Sequence, residues 1–255
     1  MSRDPVIPLL LTHIIISNRI INRILKTTII TLFAIAMGLL EAAVVIYLRE
    51  ILYPEGFAFP LRPIPPDILL TEILREAATI IMLVSIGYLL GKTLAEKFAW
   101  FIYCFAVWDI FYYVFLKALI GWPESLMTWD ILFLIPVQWT GPVLAPLIIS
   151  LSMIALACVI IWYSKDRLIR ISLRKWAGLI TGAIILFLSF IWDYSSFMLR
   201  HFRLSEILFS QDKDSIVSMS LTFIPEHFPW FIFLSGQILI IMVTILIWRR
   251  IYRSG

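Results

Sequence analysis

Long apolar runs recur along this chain and constrain its fold more than any other feature. Hydrophobic residues make up 61% of the 255 residues, well above the roughly one half that is typical of soluble domains. A helix needs about 20 mostly apolar residues to cross the hydrocarbon core of a bilayer. The runs therefore predict an all-α, polytopic integral membrane protein with six transmembrane helices, near 28–48, 70–91, 98–120, 131–162, 176–199 and 228–248.

The fourth apolar run is too long for a simple span, and its first half contains residues that interrupt helices. Pro136, Gly141, Pro142 and Pro146 predict a broken or re-entrant piece before a regular helix that begins near residue 143. A bilayer tolerates irregular backbone only where protein or a water-filled cavity covers it. We therefore expect the other helices or a cavity to cover this segment.

The basic residues predict the orientation of the chain. Alternate connections and both terminal segments carry 14 of the 21 Lys and Arg residues, beside only three acids, Asp4, Glu96 and Asp166. The positive-inside rule places such loops in the cytoplasm, which predicts cytoplasmic termini in a bacterial-type plasma (inner) membrane. No nucleic-acid-binding motif accompanies the basic residues, so the lipid bilayer is the expected partner and nucleic acid is not.

The sequence divides into a short N-terminal segment, 1–26, and a transmembrane domain, 27–255. Within 8–26 the polar residues fall mostly on one helical face and the isoleucines mostly on the other, which is typical of an amphipathic helix lying in the membrane interface. This segment is therefore predicted to be cytoplasmic or interfacial.

A weak threefold pattern relates the first, third and fifth predicted spans. Each carries an acid within the membrane and a base seven or eight residues later, in the pairs Glu41 and Arg49, Asp109 and Lys117, and Asp193 and Arg200. The pattern predicts three hairpins, 27–91, 98–162 and 176–250, of the kind that internal duplication produces in transport folds. Chance similarity among apolar helices is the alternative explanation.

Acidic residues gather on the side opposite the basic loops. By this topology 14 of the 17 Asp and Glu residues lie at or beyond the outer half of the bundle, and Glu41 and Asp109 are the deepest. A charge inside a bilayer costs about 3 to more than 10 kcal/mol, so intramembrane acids indicate a functional site. We therefore expect several spans to bring their ionisable groups into one outward-facing recess.

An ExxRE cluster at the start of the second span is the strongest candidate for chemistry. Glu72, Arg75 and Glu76 share one helical face because they are three and four residues apart. Two carboxylates beside an arginine suit a metal ion, a substrate hydroxyl or a transferable proton. The alternative is that these acids only complement the positive end of the helix dipole.

Further residues complete the predicted site. The residues predicted to contact substrate are Arg49, Tyr112, Tyr113, Lys117, Trp139 and Asp193, and the residues predicted to bind a divalent metal ion are Glu226 and His227. Carboxylate and imidazole groups suit a divalent metal ion. The chain contains no HExxH motif, so a solvated histidine is the alternative, and the identity of any cofactor is left open.

The inner halves of the spans contain no charged residue, which favours an outward-facing pocket above an apolar plug. The leading hypothesis is a membrane-embedded enzyme that acts on a lipid or isoprenoid-like substrate. Glu72 and Glu76 would be general bases or metal ligands, Arg75 would fix them or a substrate anion, and Asp109 and Glu41 would supply a deep acid. A proton- or cation-coupled transporter and a non-catalytic subunit of a membrane complex are the alternatives, and the oligomeric state is left open.

Overall fold

A computed structural model describes residues 6–135, 137–163, 170–209 and 212–253 of the chain. Eight helices and a two-stranded sheet follow one another along these residues, as α1 Val6–Leu52, α2 Pro66–Leu90, α3 Leu94–Ile120, β1 Trp129–Phe133, β2 Trp139–Pro142, α4 Leu144–Tyr163, α5 Leu173–His201, α6 Leu204–Phe209, α7 Lys213–Ser220 and α8 Trp230–Arg253. In the described part of the chain, six helices are long and apolar enough to cross a membrane. The prediction of a mostly helical, multi-pass membrane protein is therefore confirmed.

Helix α3 lies at the centre of the bundle and packs against α1, α2 and α4, whereas α5 packs on α8. Small residues permit close approach at these crossings, as is common between membrane helices. A Cβ atom added to Gly38 of α1 would lie 2.9 Å from the carbonyl oxygen of Trp108, and one added to Gly87 of α2 would lie 2.6 Å from that of Lys97. Glycine at these two positions therefore lets α1 and α2 pack directly on the backbone of α3.

An antiparallel β-hairpin occupies the segment for which a broken or re-entrant piece is predicted. In β1 and β2, Trp129 pairs with Pro142 and Ile131 with Thr140, and the register shifts between Ile131 and Phe133. The helix that follows begins at Leu144, close to the predicted residue 143. Strand β2 packs on α5 and α4, so the hairpin is held against the bundle at what we call the hairpin end.

Two features of the helices differ from the simplest expectation. Helix α1 continues without a break from Val6 through the first span to Leu52, so the segment predicted to lie in the interface is continuous with a transmembrane helix. Two short helices, α6 and α7, lie between α5 and α8 and, at six and eight residues, are too short to cross a membrane. The three-hairpin repeat, the re-entrant character of the hairpin segment and the cytoplasmic position of the termini stay predictions.

Candidate functional site

One elongated cavity of about 470 Å³ runs inside the bundle. Its lining comes from α1 to α5, from the hairpin and from Ile240 of α8. Along α3 the lining extends from Phe98 to Tyr113, which is about 22 Å at the rise of an α-helix. The cavity is therefore extended along α3.

Arg75 joins α1 and α2 at the hairpin end of the cavity. Its Nε donates to Glu72 over 2.9 Å and its Nη2 donates to the other oxygen of Glu72 over 2.5 Å. Its Nη1 donates to Glu41 of α1. The spacing of three residues makes the bidentate contact with Glu72 possible on one helical face. One guanidinium therefore holds two carboxylates, whose side chains are each 13% exposed.

Glu76 connects α2 to the hairpin without forming an ion pair with a described residue. Both of its carboxylate oxygens accept the backbone N–H of Leu134, over 3.1 and 3.2 Å. The residue is 7% exposed and lines the cavity. Leu134 directly follows β1, so this contact satisfies a backbone donor just beyond the strand pairing. Glu76 is thus positioned by the hairpin while part of its carboxylate faces the cavity.

A second buried ion pair joins α1 to the hairpin. Nη2 of Arg49 donates to Asp130 over 3.2 Å, and the hydroxyl of Tyr113 donates to the other oxygen of Asp130 over 3.1 Å. The guanidinium of Arg49 lies 3.8 Å from the ring centre of Trp122, a cation–π contact. Because Arg49 is only 12% exposed, it does not extend to the membrane surface as an isolated lipid-facing base would.

Asp130 is the most deeply enclosed acid of the site, with 2% of its surface exposed. Burial raises the pKa of Asp130 to about 6, and the adjacent Arg49 cation and the bonds to the carboxylate oppose this rise. Desolvation penalises the charged form of a carboxyl group, whereas a nearby cation favours it. Asp130 therefore exchanges its proton close to neutral pH.

Asp109 lies near the middle of α3 and accepts a hydrogen bond from the hydroxyl of Ser150 over 2.7 Å. Ser150 is 1% exposed and belongs to the otherwise apolar helix α4. Trp108, the neighbouring residue on α3, also lines the cavity. Its indole N–H is buried and has no hydrogen-bond partner among the described residues. This part of the lining thus contains an acid next to a tryptophan whose N–H is buried and unpaired.

The other end of the cavity is lined by hydrocarbon and aromatic side chains. Phe101, Met153, Leu156, Leu179 and Leu186 belong to this apolar arm. They come from stretches of α3, α4 and α5 without a charged residue, 98–108, 144–163 and 176–192. The expected apolar plug is therefore partly hollow, because the aromatic and branched side chains leave a continuous space between the helices.

The cavity brings together most of the residues that the sequence predicts for the site. Its lining includes Glu41, Arg49, Glu72, Arg75, Glu76, Asp109, Tyr112, Tyr113 and Trp139. These residues come from three helices and the hairpin, so ionisable groups that are distant in sequence converge in one recess. Their chemical roles stay predictions.

Four other predicted residues lie outside the cavity lining. Lys117 donates to the carbonyl oxygens of Gly121 and Pro123 after the end of α3. Asp193 accepts the backbone N–H groups of Glu226 and His227, over 3.0 and 3.4 Å. These contacts hold the connections that precede the hairpin and α8. They indicate a structural role for Lys117 and Asp193.

No group of three His, Cys, Asp or Glu side chains suited to a metal ion occurs in the ranges that the structure describes. The side chains of Glu226 and His227 are exposed and lie apart from the acids of the cavity. The geometry therefore gives no support to the predicted divalent metal site.

Three contributors to the site were missed by sequence reasoning as site residues. Asp130 is the partner of Arg49, Ser150 is the donor to Asp109, and Trp108 supplies an unpaired N–H. A serine within the apolar run of α4 was an available signal for Ser150. The Arg49–Asp130 pair joins residues 81 positions apart, and no local pattern predicts such a contact.

Comparison with known protein families, with curated proteins and with solved structures finds no match for this chain. The functional interpretation therefore rests on the geometry of the cavity.

Proposed function

We propose that this protein is a membrane-embedded enzyme that acts on a lipid or isoprenoid-like substrate. One observation carries the proposal: a single long cavity has ionisable groups at the hairpin end and hydrocarbon side chains at the other. A ligand that fills such a cavity has a polar head and an apolar tail. By the distribution of basic residues, the polar end faces the extracytoplasmic side.

Glu76 is the proposed general base. It is buried, it faces the cavity, and the N–H of Leu134 fixes its position. Because Arg75 is already bonded to Glu72 and Glu41, Glu76 does not share its charge with a guanidinium. A base acts when it lies within hydrogen-bond reach of the proton that it removes. Glu76 would therefore transfer a proton to or from the head of the substrate, and the Arg75 cluster would orient that head.

Mass spectrometry of membrane lipids tests this proposal. Membranes from cells that produce the wild-type protein, Glu76→Gln or Glu50→Gln are extracted and compared. Glu50 is the matched control because it is an exposed glutamate of α1 outside the cavity. We expect a lipid species to be consumed or formed with the wild type and with Glu50→Gln, but not with Glu76→Gln. Identical extracts from all three, with lipid still bound to each purified protein, would contradict an enzymatic role.

Movement of the same kind of amphiphile across the membrane is the second candidate, because the cavity lining extends along more than half of α3. Proteoliposomes that contain a fluorescent single-chain lipid distinguish the two functions. Transport would be favoured if the protein made the inner-leaflet fluorescent lipid accessible to an external quencher while the lipid stayed chemically unchanged. Sensitivity of that movement to a proton ionophore would indicate proton coupling.

A further inference from the structure

More acidic than basic side chains line the cavity, and this excess specifies the head group of the ligand. Among the residues that the structure describes, five carboxylates line the cavity, those of Glu41, Glu72, Glu76, Asp109 and Asp130, against the guanidinium groups of two arginines. Burying a charge without an opposite partner is costly, so an unpaired acid in this cavity binds either a proton or a cation. A ligand that brings a positive charge therefore complements the polar end better than an anionic ligand does.

Both arginines are already bonded to carboxylates of the protein. Arg75 uses Nε, Nη1 and Nη2 on Glu72 and Glu41. Arg49 is bonded to Asp130 and covered by the ring of Trp122. Recognition of a phosphate or carboxylate head usually needs two parallel N–H groups of one guanidinium. Arg75 has no such pair left, and in Arg49 Nη2 is bonded to Asp130 while the unpaired Nη1 is buried, so neither arginine presents two accessible N–H groups to an anionic head.

Two acids remain available to a ligand. Glu76 and Asp109 form no ion pair with any residue in the described ranges, and each faces the cavity. Their bonds are to neutral donors, the N–H of Leu134 and the hydroxyl of Ser150. An ammonium group carries three donors and no acceptor, which suits a carboxylate that has no cation of its own. The neighbouring Trp108 ring adds a surface that favours a cation.

Two buried donors belong to residues that line the cavity. The indole N–H of Trp108 and Nη1 of Arg49 are buried without a hydrogen-bond partner in the described part of the chain. Trp108 is 6% exposed, and both residues line the cavity. Leaving a buried donor unpaired costs about 1–3 kcal/mol.

We propose that the ligand is a single-chain amphiphile whose head carries an amine. The ammonium binds at the polar end of the cavity, at Glu76 or Asp109, and the chain lies in the apolar arm between α3, α4 and α5. This inference rests on the proposed function, because it specifies the chemical class of the amphiphile.

Three probes with the same hydrocarbon chain test the charge of the head: octadecylamine, octadecanol and stearic acid. Equilibrium binding of each radiolabelled probe to the purified protein is measured at one fixed concentration of detergent micelles, with protein-free micelles as the baseline. Hydrogen bonds to charged groups and the tenfold change per 1.4 kcal/mol set the scale. We expect octadecylamine to bind at least about tenfold more tightly than octadecanol, with stearic acid the weakest.

The variants Glu76→Gln and Asp109→Asn should each weaken binding of octadecylamine about tenfold and leave octadecanol unchanged, whereas Glu50→Gln should change neither. Two acids are tested so that a variant that fails to fold does not decide the result. If octadecanol or stearic acid binds as tightly as the amine, or if both variants keep full amine affinity, the amine head is wrong while amphiphile binding stands. If no probe binds above the baseline, the proposed function fails as well.

Discussion

Replacement of Arg75 by methionine tests whether the guanidinium holds α1 and α2 together. Methionine keeps an unbranched, helix-compatible side chain but removes three hydrogen bonds to Glu72 and Glu41. Two carboxylates that are each 13% exposed then lose their cation. Removal of one partner from a buried ion pair costs about 3–5 kcal/mol. Because Arg75 itself is 22% exposed, we expect the free energy of unfolding to fall by about 3 kcal/mol.

Unfolding in micelles of increasing denaturing-detergent content measures this change. Arg200→Met is the matched control, because Arg200 is an exposed arginine in the last turn of α5, and such surface changes stay within about 0.5 kcal/mol. Addition of Glu72→Gln to Arg75→Met should restore part of the lost stability, since it removes one uncompensated carboxylate. Equal stability of Arg75→Met and Arg200→Met would refute the assignment of Arg75 as the connection between the helices.

Two further predictions concern the hairpin and the apolar arm. Because the pKa of Asp130 is raised to about 6 in the folded protein from a usual value near 4, the fold binds its proton more tightly than the unfolded chain does. Stability should therefore fall by roughly 3 kcal/mol as pH rises through this window, and the fall should be absent in Asp130→Asn when unfolding is followed from pH 3 to 8. In the apolar arm, Ala183→Phe should place a ring at the cavity lining and reduce binding of the octadecyl probes about tenfold, whereas Ile184→Phe, at a position of α5 that does not line the cavity, should not. Equal binding by both variants would contradict the position of the chain.

The spans were predictable from sequence because the length of an apolar run has one dominant physical cause. A bilayer requires about 20 apolar residues per helix, and the predicted span 98–120 corresponds to α3, Leu94–Ile120. The predicted ends of the spans differ from the observed helix ends by a few residues. A helix can continue beyond the hydrocarbon core into the interface, so the end of an apolar run does not mark the end of the helix. The start of α4 was predictable because Gly141 and Pro142 stop a helix from extending backwards.

The hairpin was harder to predict because its stability comes from contacts that are distant in sequence. Its strands are only five and four residues long, and such short apolar segments do not distinguish a strand from part of a helix. What holds the hairpin is Glu76 on the N–H of Leu134 and Arg49 on Asp130. The acids could be recognised as unusual from their depth in the membrane, but their partners depend on the packing of α1 and α2 around α3.

The double role of Glu76 decides which substitutions are informative. The carboxylate both faces the cavity and accepts the N–H of Leu134. If an apolar variant lost function, the loss could come either from the missing carboxylate or from a displaced hairpin. Glu76→Gln keeps an oxygen for that N–H and removes only the charge, whereas Glu76→Leu leaves a buried donor unpaired at a cost of about 1–3 kcal/mol. Stability should therefore be nearly unchanged in the glutamine variant and reduced in the leucine variant. If both variants unfold like the wild type, Glu76 does not hold the hairpin, and its position at the cavity must have another cause.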